Sequence, residues 1–190
     1  MFIFGGSVAF LLYFLYDINS VKWNKKLLHY SFFLGTILLT VTTLGVVLQN
    51  TKHIENIEGS SIVLLSIAAI FFVLLIYTLF FALPFGSTYQ NESEKRMAYM
   101  EGVYALCRHP GVLWFIGFYL FLGAGFRSQE VFIYGIVVSV WNVLYVIFQD
   151  RYSFQRTFTN YKEYQKKVPF LIPTKESIKT CFNTLGRKKI

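Results

Sequence analysis

Charge is scarce in this chain: 15% of its 190 residues are charged, against 55% hydrophobic and 19% aromatic, and the mean hydropathy is +0.48. Soluble domains carry nearer a quarter charged residues, so the scarcity excludes a soluble single domain. Cysteine is scarce too, and Cys107 and Cys181 make neither a disulfide framework nor a zinc spacing. The sequence has no internal repeat and no low-complexity block. It also lacks the glycine-rich strand-to-helix turn with which soluble enzymes cradle nucleotide cofactors. The first ten residues have neither a basic n-region nor a small-residue cleavage site, and are expected to be a retained segment and not a signal peptide.

What is present is a series of apolar runs, at 2–16, 27–48, 62–83, 111–126 and 131–148. Crossing a hydrocarbon core takes roughly 20 helical residues. The runs lack the alternation of barrel strands, and backbone groups in lipid must be satisfied internally, so helices are the expected form. The expectation is an all-α membrane protein, one integral domain over 1–190 with about five transmembrane helices. The first and fourth runs are short, and should extend into their flanks or tilt little.

The net charge is +8, which in a soluble chain would raise the question of nucleic acid. Position gives a different answer, and no nucleic-acid partner is expected. Ten of the 18 Lys and Arg residues lie from Arg151 onward. Lys22, Lys25, Lys26, Lys95, Arg96 and Arg108 fall on the same side as that tail, leaving Lys52 and Arg127 on the other. The positive-inside bias then predicts a cytoplasmic tail and an N-terminus outside. His29 and His53 would lie on opposite sides, so no three-histidine metal site is expected. The stretch 151–167 places Phe154, Phe158 and Tyr161 on one stripe among basic residues, the pattern of an interfacial amphipathic helix resting on membrane lipids. Beyond Pro173 the polar sequence is expected to be loosely ordered.

The most informative stretch is GVYALCRHP, Gly102 to Pro110, at the entry to the fourth run. Pro110 has no amide proton and disfavours α geometry at His109, so a helix should start at the proline. Arg108 and His109 would stand at the positive end of that helix, where a carboxylate or phosphate is welcome. An ordinary snorkelling arginine before a proline start reads the same way. Asp150 leaves the fifth run with Gln149 before it and Arg151 after it. It is either a surface partner of Arg151 or the acidic half of a site facing His109, because the two fall on one side of the membrane. Asn142 is expected to bond between helices, and Gly111, Gly117, Gly123 and Gly125 to permit close packing.

GVYALCRHP, the apolar hairpin after it, the acid at Asp150 and the run NYKEYQKKVPFLIP at 160–173 together resemble the C-terminal half of the isoprenylcysteine carboxyl methyltransferase family and the related phospholipid N-methyltransferases. The pattern is G-x-Y-x-x-x-R-H-P, two spans, a Glu pair, then Y-x-x-Y and V-P, and the match covers roughly 92–173. The resemblance implies S-adenosylmethionine as cofactor and a lipid-like or membrane-embedded small substrate at the cytoplasmic face. It also implies cofactor contacts at Arg96, Met97, Ala98, Tyr99 and Tyr104, at the turn His109, Pro110, Gly111 and Val112, and at Gln149 or Asp150. Tyr161 and Tyr164 would close the site, and Arg108, His109 and Asp150 are its candidate catalytic residues. No metal and no obligate protein partner are implied.

The chain departs from the family at Val112, where members have Tyr, at Trp114, where they have Gly, and at Gln149 and Asp150, where they have two Glu. The stretch 145–148 also lacks the arginine associated with a prenylated-cysteine substrate, which argues against that substrate. Two other readings are a non-catalytic membrane scaffold of the same fold and an NADPH-dependent membrane reductase. The latter family's Asn-Tyr and Gly-Glu after H-P are not matched by Gly111 to Trp114.

Overall fold

A computed structural model describes residues 1–51, 58–82 and 96–186, and all regular structure among them is helical. Lys52, His53, Leu83, residues 92–95 and the basic cluster at 187–190 lie outside the described residues. Among the described residues, four helices are long and apolar enough to cross a membrane: Phe2–Trp23, Lys26–Gln49, Gly59–Phe80 and Gln129–Thr157. A fifth apolar helix, Pro110–Phe126, has 17 residues. At 1.5 Å per residue it reaches about 25 Å, a length that spans only with little tilt.

We label α1 Phe2–Ile18, α2 Lys26–Gln49, α3 Gly59–Phe80, α4 Val103–Leu106, α5 Pro110–Phe126, α6 Gln129–Phe148, α7 Phe154–Thr157, α8 Tyr161–Lys167 and α9 Lys175–Thr184. The first run does extend into its flank: α1 passes Tyr16 and continues through a π-turn, Asn19–Trp23, before Asn24 reverses the chain at φ 50°. A second π-turn, Gln149–Ser153, ends α6. One-turn π segments inside helices recur at functional sites because they rotate the following residues out of α phase.

The bundle packs α3 on α5, α5 on α6, α6 on α1 and α1 on α2. Its core is aromatic, with Phe10, Tyr13, Phe115, Tyr119, Tyr134 and Tyr145 buried together. In lipid, close packing and interhelical hydrogen bonds hold helices together where the hydrophobic effect does not. The expected packing glycines serve this purpose: a Cβ on Gly117 would lie 2.5 Å from Phe71 and one on Gly125 2.7 Å from Leu65, so both let α5 meet α3. The bonds between helices come from hydroxyls, with Tyr134 2.9 Å from Thr42 and Tyr119 2.7 Å from Thr43. Trp141, the neighbour of Asn142, donates to Ser7 at 2.9 Å. The lipid-facing surface is apolar, with Ile62, Val63, Ile70, Phe72, Val73 and Leu79 of α3 all exposed. A face of this extent has no place in water.

Two expectations about the tail are corrected. The stretch 151–167 is not one interfacial helix: it is broken into the π-turn, α7 and α8, and its stripe turns inward. Tyr161, Tyr164 and Val168 are buried with Phe154, Phe158, Ala98 and Met100 around them, because the two tyrosine hydroxyls find acceptors in the protein, Asp150 and the Tyr104 carbonyl, that a lipid surface does not offer. The segment after Pro173 is ordered as α9, started by a capping box between Thr174 and Ser177. That helix packs on α4, exposes Ile178 and Phe182, and buries Cys181.

Candidate functional site

Everything at the site follows from how the chain enters α5. Gly102 turns the backbone at φ 58°, a conformation open to glycine, and donates its amide to Thr184 at 2.8 Å. After one helical turn, α4, the chain runs extended through Cys107, and α5 begins with Pro110 at its first position, as the sequence predicts. The irregular stretch leaves the Arg108 amide unpaired within its own segment, and it is satisfied by Pro169 O at 2.9 Å.

Arg108 does not snorkel. Its Nε and Nη2 donate to Asp150 Oδ1 and Oδ2 at 2.8 and 3.2 Å, a bidentate pair. Its Nη1 donates to the carbonyls of Gln165 and Val168, at 3.1 and 2.7 Å, at the C-terminal end of α8, where a helix has no amides of its own to offer its last carbonyls. One guanidinium thus joins the exit of α6 to the end of the tail helix. Arg151 is exposed, so the surface-pair reading of Asp150 is replaced by a buried pair across the fold.

Asp150 is saturated. Besides Arg108 it accepts from the Tyr161 hydroxyl at 2.7 Å, from Gln165 Nε2 at 2.9 Å and from His109 Nε2 at 3.4 Å. A carboxylate offers about four lone-pair positions. None remains for a ligand. The anion expected at the start of α5 is therefore supplied by the chain itself.

His109 is buried, stacked 5.8 Å from Phe154 and edge-on to Phe170 at 5.3 Å. Burial outweighs the pull of Asp150 and holds its imidazole below the ordinary value of 6.5. In the neutral ring, Nε2 facing the carboxylate is the donor, which leaves Nδ1 as the acceptor nitrogen. Burial and then the Asp150 anion raise the Tyr161 phenol far above its usual range, and burial raises Tyr164 as well. Both stay protonated donors, Tyr164 to Tyr104 O at 2.8 Å.

The remaining expected residues divide. Ala98 is tied to Asn160 by bonds of 2.7 and 3.1 Å in both directions, and Arg96 O accepts from Thr159. Tyr99 stands edge-on to Tyr104 at 6.4 Å, while the Arg96 and Met97 side chains are exposed. Pro110 and Val112 are buried, and Gly111 faces Leu75 and Leu79 of α3. Gln149 does not point where Asp150 does: it lies beside Asp17 of α1, because the π-turn separates the two neighbours' directions. Trp114 turns toward α3, donating to Thr78 Oγ1 at 3.0 Å. The departure from glycine at 114 is thus accommodated on the α3 side.

The chain matches no protein-family model, no curated protein and no solved structure. Its site therefore stands on its own geometry. Sequence reasoning missed Gln165, Phe154, Phe170 and Asp17. Gln165 was legible as the residue one helical turn after Tyr161 in YKEYQKK, and Asp17 as the single acid of the first apolar helix.

Proposed function

We propose that this chain is an integral membrane methyltransferase, moving a methyl group from S-adenosylmethionine to a lipid-like or membrane-embedded small substrate. The site lies at the cytoplasmic face in the topology that the charge bias predicts. One observation supports this reading most: the segment at 96–99, the R-H-P turn, the exit of α6 and the Tyr161/Tyr164 helix meet at one end of the bundle. These are the stretches that the resemblance to the isoprenylcysteine carboxyl methyltransferase family assigns to one cofactor.

The residues fit such a cofactor in kind, through aromatic faces at Tyr99, Tyr104, Phe154 and Phe170 and an exposed cation at Arg96. Bound there, the cofactor supplies a methyl group on a sulfonium. Its in-line displacement needs alignment and a dry site more than a strong acid. Arg108 and Asp150 serve this as positioning residues: they fasten the tail over the turn and orient His109. The acceptor nitrogen of His109 is the group available to take a proton from the methyl acceptor.

The saturation of Asp150 favours a second reading, a scaffold that keeps the fold without the chemistry. Calorimetric titration of the detergent-purified protein with S-adenosylmethionine and with NADPH separates the readings. Saturable binding of the first, weakened in His109→Ala and retained in His29→Ala, is the expected result. Binding of neither cofactor gives the scaffold, and binding of NADPH alone gives a reductase.

A further inference from the structure

The apolar helix α1 holds one acid, Asp17, near the end of the bundle that carries Arg108 and Asp150. Asp17 is 5% exposed, and its Oδ2 has no hydrogen-bond partner among the described residues. The Tyr145 hydroxyl and the Gln149 amide hydrogen-bond to the carboxylate, and among the described residues no Lys, Arg or His forms an ion pair with it. A carboxylate withdrawn from water with one oxygen unbonded and no cation paired to it is expensive. Asp150, by contrast, has both oxygens bonded and a guanidinium paired to it.

The surroundings indicate what would satisfy it. Tyr145 stands 5.6 Å from Tyr13 and 5.3 Å from Phe14, and Phe14 stands 5.1 Å from Phe148, so a seam of rings runs between α1 and α6, and its Tyr145 hydroxyl reaches the carboxylate. Tyr16 and Gln149, at the rim, are half-buried. Aromatic faces and a carboxylate with an unbonded oxygen are the two groups that recognise an organic ammonium, the first by the ring quadrupole and the second by charge and hydrogen bonding. Acidic residues kept at membrane depth mark ligand or ion paths, since a packed apolar residue would otherwise be cheaper.

We infer that Asp17, with Tyr13, Phe14, Tyr145 and Gln149, binds the protonated nitrogen of a membrane-borne amine whose hydrocarbon part lies along the α1–α6 seam. The inference rests on the unbonded oxygen of Asp17, on its having no paired cation among the described residues, and on the rings beside it. It holds whether or not S-adenosylmethionine binds at the Arg108 end, and it predicts binding alone.

The test uses the full chain in a maltoside detergent, which contributes no nitrogen of its own. n-Hexylammonium and the equally long 1-hexanol are titrated calorimetrically into wild type and Asp17→Asn. The expected result is saturable hexylammonium binding to wild type, at least tenfold tighter than hexanol and at least tenfold weaker in Asp17→Asn. Equal binding of amine and alcohol by wild type overturns the site, as does an Asp17→Asn variant that binds the amine unchanged. Should Asp17→Asn fail to fold, the wild-type comparison of amine with alcohol still decides.

Discussion

Arg108 and Asp150, 42 residues apart, form a buried bidentate ion pair at 2.8 and 3.2 Å, and the third guanidinium nitrogen holds two carbonyls at the end of the tail helix. The side chains are 10% and 9% exposed. Removing one partner of a pair this buried strands the other.

Asp150→Ala and Arg108→Met are therefore each expected to destabilise the protein by about 3 to 5 kcal/mol. Arg108→Lys should recover little, because an ammonium cannot span both carboxylate oxygens and the two carbonyls. Thermal unfolding in detergent measures this. Loss below about 1 kcal/mol in Asp150→Ala would show a hydrated surface pair instead.

The tail's two tyrosines should differ. Tyr161 donates to a carboxylate at 2.7 Å and Tyr164 to a backbone carbonyl at 2.8 Å. Tyr161→Phe is expected to cost about 1.5 to 3 kcal/mol and Tyr164→Phe about 1 kcal/mol. A reversed order, read by the same melts, would mean that Asp150 is not the stronger acceptor.

His109 makes stability depend on pH with a definite sign. Its folded pKa lies below the unfolded value near 6.5, so the unfolded chain binds a proton first as pH falls. The contribution is fully present above about pH 6.5 and is lost as pH falls toward the folded value. Melting temperatures at pH 7.5 and 5.0 should show a larger acid loss in wild type than in His109→Gln. An equal loss in both leaves His109 out of the acid response.

Close packing of α5 on α3 gives a steric prediction. A Cβ at Gly117 would lie 2.5 Å from Phe71, whereas one at Gly111 would lie 3.6 Å from Leu75. Gly117→Ala should cost about 1 to 3 kcal/mol, and Gly111→Ala should stay within about 1 kcal/mol of wild type. Similar melts for both would place α3 elsewhere.

Sidedness cannot be read from the native cysteines. Cys107 is fully buried with its thiol pushed up to about 11 by burial, and Cys181 is buried and raised as well. Both should resist maleimide from either side. In a Cys107→Ala, Cys181→Ala background, Gln129→Cys and Lys166→Cys each replace an exposed residue. An impermeant maleimide should label the first in intact cells and the second only after permeabilisation. The opposite pattern inverts the topology.

Composition and run length alone determined that this is an all-helical membrane protein, because some twenty apolar residues in succession have no other stable form in water or lipid. The start of α5 at Pro110 was equally local, dictated by a missing amide proton. Which partner Asp150 takes was not local. Arg151 is adjacent in sequence, but the π-turn after Phe148 turns Asp150 inward toward Arg108, His109 and Tyr161 while Gln149 turns toward Asp17. The stripe of Phe154, Phe158 and Tyr161 suits a lipid surface or a protein groove equally by periodicity. Only the tertiary structure decided for the groove, through the acceptors that Asp150 and Tyr104 present to Tyr161 and Tyr164. The lack of a cation paired with Asp17 among the described residues belongs to the same class: a single acid in an apolar run is visible in sequence, but whether a base stands opposite it depends on how helices distant in the chain are packed.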